Sequence, residues 1–122
     1  MARSRIRAIE RRQRRLAELE EETRECYERI LQQYSLSEQE RIDLEQDWKH
    51  NLTFIAEYED ATPEDYRNLF IYTYDSEPLD RYIDLEMSEA AWRAHFDLAN
   101  ALGLAMITID EAGNINGEMI EY

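Results

Sequence analysis

The residues of this chain best suited to covalent or metal chemistry are two histidines, one cysteine and a hairpin rich in oxygen donors. His50 and His95 fall on different predicted helices, and neither has a recognisable motif around it. His95 shares an apolar face with Trp92 and Phe96, the setting of a hydrogen-bonded core histidine rather than a catalytic one. Cys26 lies mid-helix beside Tyr27 with nothing local to lower its pKa, so it reads as a small buried thiol. No glycine-rich phosphate loop, G-x-S-x-G or H-E-x-x-H occurs. Asp110, Asn114, Asn116 and Glu118 bring four oxygen donors into one hairpin. A calcium loop needs oxygen ligands at alternate positions, glycine sixth and glutamate twelfth. Here Ala112 takes the third position and the glycines fall fourth and eighth, which is the pattern of a polar turn. Zinc has no Cys/His cluster, and one cysteine closes no disulfide. The expectation is a protein that is not an enzyme and uses no metal or cofactor.

Charge is more informative. The 122 residues carry a formal net charge of −14, which is the sum of two unlike parts. Residues 1–15 hold Arg3, Arg5, Arg7, Arg11, Arg12, Arg14 and Arg15 against Glu10, a net +6, leaving −20 on the rest. Such asymmetry reads as a basic arm on an acidic body. Many of the acids neighbour tyrosines or one another, as in Glu57-Tyr58-Glu59-Asp60, Asp65-Tyr66, Tyr74-Asp75 and Tyr82-Ile83-Asp84-Leu85-Glu86. Carboxylates on a rigid scaffold approximate a row of phosphates, and tyrosines add amphipathic contact area at interfaces. A surface of this kind is steered toward a basic groove. The expected contacts are Glu57, Glu59, Asp60, Asp65, Asp75, Asp84 and Glu86 with Tyr82, and the arginine arm as a second contact.

These residues need a scaffold, and hydrophobic spacing supplies one of α+β class. Ala2, Ile6, Ile9, Leu16, Leu19, Thr23, Tyr27, Ile30 and Tyr34 recur at steps of three and four, predicting a helix of about 30 residues. Ser37 and Glu40 form a capping-box pattern, with Ser35 and Glu38 as an alternative register, that opens a second helix to about Tyr58, with Ile42, Trp48, Leu52, Ile55 and Ala56 on one face. A short loop between them predicts an antiparallel hairpin, with the arginine end overhanging. Thr62-Pro63-Glu64-Asp65 predicts a short helix giving way to a strand at about 69–75, and Asp75 to Asp80 a loop. Residues 82–87 alternate as a half-buried strand, Ser88 caps a helix over about 89–102, and Gly103 suits its C′ position. Leu104–Ile109 and Ile115–Tyr122 flank a turn. The whole predicts a helical hairpin followed by a small ββαββ-like antiparallel sheet with one packed helix. Residues 1–15 form the arm, 16–60 the hairpin, and 61–122 a segment packed with it as one domain.

No stretch approaches the roughly 20 apolar residues of a membrane span, and the basic start is not followed by the apolar run of a secretory signal, so a cytoplasmic protein is expected. In size and acidity the chain resembles small phage- or plasmid-encoded blockers of nucleases and of restriction or CRISPR systems, and colicin-type immunity proteins, with no motif matched. The function expected is therefore an acidic, nucleic-acid-mimicking inhibitor whose partner is a basic, nucleic-acid-binding enzyme or ribonucleoprotein. The alternatives are an immunity- or antitoxin-like protein, or a nucleic-acid-associated or scaffold protein acting through the arginine-rich helix of residues 1–15. A homodimer through the long helix is a further expected association.

Overall fold

The computed structural model describes residues 2–59, 69–83 and 87–121. Helix α1 (Ala2–Gln32) and helix α2 (Glu38–Glu59) form the hairpin. Strand β1 (Phe70–Pro78), the single turn α3 (Asp80–Ile83), helix α4 (Glu89–Ala101) and strands β2 (Ala105–Ile109) and β3 (Asn114–Glu121) complete the α+β fold. The three strands are antiparallel in the order β1-β3-β2.

The start of α2 is the capping box that the sequence predicts. Ser37 N–H donates to Glu40 Oε1 at 3.0 Å, and Glu40 N–H donates to Ser37 Oγ at 3.1 Å. The second oxygen of Glu40 accepts the hydroxyl of Ser88, which is itself the N-cap of α4 and receives Ala91 N–H. One carboxylate therefore ties two helix starts together. These hydrogen bonds, that from Ser88 foremost, hold the Glu40 carboxyl below its ordinary pKa.

Two cores meet on α4. On one side Ala94 and Leu98 join Leu19, Tyr27, Ile30 and Leu31 of α1 and Leu44, Trp48, Leu52 and Ala56 of α2. Trp48 stacks on Tyr27 with centroids 4.3 Å apart, and its indole N–H reaches Thr23 Oγ1 at 3.2 Å. On the other side Phe96 and Ala99 pack on Tyr74, Leu79, Ala105, Ile107 and Ile115. Fully buried Ala91 and Ala94 let the helix sit close to its neighbours.

Several boundaries and faces differ from the sequence reading. Strand β1 continues through the expected loop as far as Pro78, because a bulge at Ser76 (φ 52°) absorbs the register change between Tyr74 and Glu77. Asn116 Oδ1 stabilises the bulge by accepting Ser76 N–H at 3.0 Å. Residues 80–83 form a helical turn instead of opening the expected strand over 82–87. Buried Leu79 anchors that turn, its carbonyl accepts Tyr82 N–H, and Trp92 Nε1 binds the Tyr82 carbonyl at 2.9 Å. Residues 84–86 of that strand and the helix expected from Pro63 lie outside the described residues, and Met87 is in no strand. Ile42, placed by spacing on the buried face of α2, is 43% exposed, and Leu44 takes its place. Cys26 is half-buried against the hairpin core, less enclosed than expected.

Candidate interaction surface

The arginine arm begins where the hairpin ends. Arg15 forms a bidentate pair with Glu59, the last residue of α2, at 2.7 and 3.1 Å, and also reaches Glu18 and Glu22 at 3.3 and 3.4 Å. The Glu59 hydrogen bonds push the Arg15 pKa further up. Arg15 is therefore a clamp between α1 and α2 and differs in role from the rest of the arm. Because α1 has 31 residues and α2 has 22, the N-terminal turns of α1 run past Glu59. Arg7, Arg11, Arg12 and Arg14 are exposed there, beside exposed Ile6 and Ile9, while Arg3 and Arg5 occupy the first turns of the same helix. Ile9, Arg12, Gln13 and Leu16 line a groove of about 260 Å³ against Thr53, Ala56 and Glu57 of α2.

The predicted acid and tyrosine contacts that fall among the described residues sit on three elements, α2, β1 and α3. Glu57 is exposed at the end of α2, and its neighbour Glu59 is engaged by Arg15. Asp75 is exposed on β1, beside the bulge. Tyr82 sits half-buried on α3, where its hydroxyl donates to Glu77 and its ring meets Tyr74 and Trp92 edge-on. Burial and the Glu77 bond push the phenol's pKa well above its ordinary value. Tyr82 thus closes the second core. Asp60, Asp65, Asp84 and Glu86 lie outside the described residues.

A second surface is less obvious in the sequence. Strand pairing places Tyr72, Tyr74, Ala105, Ile107, Ile115 and Met119 on the α4 side of the sheet. The other side carries Ile71, Thr73 and Asp75 of β1, Asn116, Glu118 and Ile120 of β3, and Met106 and Thr108 of β2. Nothing among the described elements packs on it. Ile71 is 61% and Met106 is 82% exposed. Around them runs a shallow cavity of about 170 Å³, lined by Gly103, Leu104, Glu118 and Ile120. The signal for this face was the alternation within 105–109, where Ala105 and Ile107 are buried and Met106 and Thr108 exposed; on β1 Tyr74 alone of residues 70–75 is buried.

The edge of β2 is capped at its middle residue. The Asn100 side chain accepts Ile107 N–H and donates to Ile107 C=O, both at 2.8 Å, taking the place of a neighbouring strand. This is a familiar way to prevent edge pairing.

The structure also unites residues that the sequence leaves apart. His95 Nδ1 lies 2.7 Å from Asp47 Oδ2, and both line a groove of about 230 Å³ with His50, Asn51, Ala99, Leu104, Met119 and Ile120. A carboxylate-oriented imidazole suits proton transfer, but no hydroxyl or thiol nucleophile is among the lining residues. The oxygen-rich hairpin is a turn stabilised by its own side chain: Asp110 Oδ1 accepts Ala112 and Asn114 N–H at 2.9 Å. Among the described residues no cluster of three or more His, Cys, Asp or Glu is placed to hold a metal ion, and no helix is long and apolar enough to cross a membrane.

Comparison with family models, with curated proteins and with solved structures finds no match to this chain.

Proposed function

We propose that this protein is a non-enzymatic interaction protein whose acidic body occupies a basic, nucleic-acid-binding groove of a partner protein and competes there with nucleic acid. The observation that supports this reading best is the outer face of the sheet. Ile71 and Met106 are exposed on it, Glu118 stands on the central strand between Thr73 and Met106, and exposed Asp75 lies toward the bulge. Exposed apolar side chains interspersed with carboxylates suit contact with a basic protein surface. The charges on this face and on the body are of one sign, and the body's −20 steers encounters toward positive partners. Glu57 adds an exposed carboxylate at the end of α2, and Asp60, Asp65, Asp84 and Glu86 add to the acidic set by sequence. Inhibition of a nuclease of the restriction or CRISPR type, in the cytoplasm, is the activity this chemistry suits best.

The test is capture on the immobilised protein, with and without nuclease, followed by competition. A supporting result is a basic protein retained after nuclease treatment, released by high salt, and displaced from its nucleic acid by this chain. If the captured material is lost on nuclease treatment, and deletion of residues 1–15 removes all binding, the arginine helix is a nucleic-acid contact and the proposal fails.

A further inference from the structure

The solvent face of α1 carries a charge pattern that complements itself. Arg7, Arg11, Arg14, Glu18, Glu21, Glu25 and Glu28 follow one another at steps of four and three, so they share one stripe along the helix. All seven are exposed, and the stripe lies opposite the Leu19, Tyr27 and Ile30 face that packs on α2 and α4. Its first half is basic and its second half acidic. Within each half, like charges stand at i,i+3 and i,i+4, an arrangement that weakens an isolated helix. Alternating signs would have avoided that cost.

Reflection of the stripe about residue 16 exchanges Arg14 with Glu18, Arg11 with Glu21, and Arg7 with Glu25. We infer that two copies of this chain associate through their α1 solvent faces, antiparallel, about a two-fold axis near Leu16. The axis doubles each of the three pairs, as an isologous interface requires. The spacing matches the a-to-d′ layers of an antiparallel coiled coil, with charged residues in place of apolar ones. Exposed Ala17 flanks the centre and adds no bulk. Arg15, which approaches its own copy on the other flank, is already countered by Glu59, Glu18 and Glu22. A parallel pair would set arginine against arginine and glutamate against glutamate, so the pattern also selects direction.

Exposed ion pairs contribute little one at a time, so the association is weak, with a Kd of about 0.1–1 mM. It is strongest near 0.1 M salt, where the Debye length is about 10 Å. At that salt the contacting pairs still attract, while repulsion between the two acidic bodies is screened. The inference concerns a face other than the outer sheet surface and stands apart from the proposed partner.

Sedimentation equilibrium over a concentration series reaching about 1 mM tests it, with helicity followed by circular dichroism. The 14.7 kDa chain should gain apparent mass with concentration near 0.1 M salt and lose the gain at 1 M. The triple variant Arg7→Glu/Arg11→Glu/Arg14→Glu has an all-acidic stripe, and Glu18→Arg/Glu21→Arg/Glu25→Arg one that is basic at all six pairing positions. Each alone should be monomeric, with helicity lowered at most slightly by the added like-charge neighbours, and their mixture should form a heterodimer at least about tenfold tighter than the wild-type dimer. A wild-type chain monomeric at all concentrations, or a mixture of the two variants that stays monomeric, overturns the inference.

Discussion

A Cβ built on Gly117 lies 1.8 Å from the carbonyl oxygen of Met106, and the φ of 132° at that residue is one that L side chains rarely adopt. Gly117 is the central-strand residue facing Tyr74 on one side and Ile107 on the other, so the clash falls on the middle of the sheet. Gly117→Ala is expected to destabilise the fold by about 2–4 kcal/mol through strain and backbone displacement. The measurement is a lowered denaturant midpoint with unchanged slope. Two other residues couple stability to pH in opposite directions. Glu40 has a folded-state pKa below its ordinary value, so its contribution is present above the ordinary carboxylate range and is lost as pH falls through the lowered folded value. Glu40→Gln should flatten that acid limb of a melting-temperature profile. Tyr34 donates to Asp97, and burial with that hydrogen bond pushes its pKa up to about 12 from 10.0. Its contribution is present below pH 10 and lost as pH rises toward 12, so Tyr34→Phe should remove that alkaline loss.

Helix α4 determines how the other elements meet. It contributes Ala94 and Leu98 to the hairpin core and Phe96 and Ala99 to the sheet core, so both layers depend on it. Leu98→Ala is expected to cost about 2–5 kcal/mol, and the loss should appear in a single unfolding transition if the two layers are one cooperative unit. Separate transitions for near-ultraviolet and far-ultraviolet circular dichroism would contradict that. At this scale the sequence was readable wherever a pattern had one meaning. The periodicity of α1, the reciprocal bonds of Ser37 with Glu40 and the cap at Ser88 follow from local chemistry, and the structure has them all. It was not readable where tertiary contacts decide. Alternation at 82–87 has the period of a strand, yet Leu79 burial and the Trp92 bond to Tyr82 hold residues 80–83 in a helical turn. The Asn100 edge bonds and the Asp47–His95 pair join residues with no mutual signal in the sequence. The acid–tyrosine pairing was the least transferable clue, because the Tyr82 hydroxyl binds inward to Glu77 while Asp75 remains outside.

The whole molecule separates its charges along its length. Arg15 and Glu59 mark the point where basic arm and acidic body meet, and the ion pair there holds both helices in register. Uncovered Ile71 and Met106 belong to the acidic end of this division, because Asp75 and Glu118 share their face. A surface that served solubility alone would not need these exposed apolar side chains there. The double reversal Asp75→Lys/Glu118→Lys leaves every core contact in place, so it isolates the surface from the fold. The most direct measurement is the affinity of that variant and of the wild type for the captured basic partner, titrated across salt concentrations. The account predicts wild-type binding that weakens steeply with salt, and a variant roughly tenfold or more weaker with a shallower salt dependence. Equal affinities and equal salt dependences would contradict it.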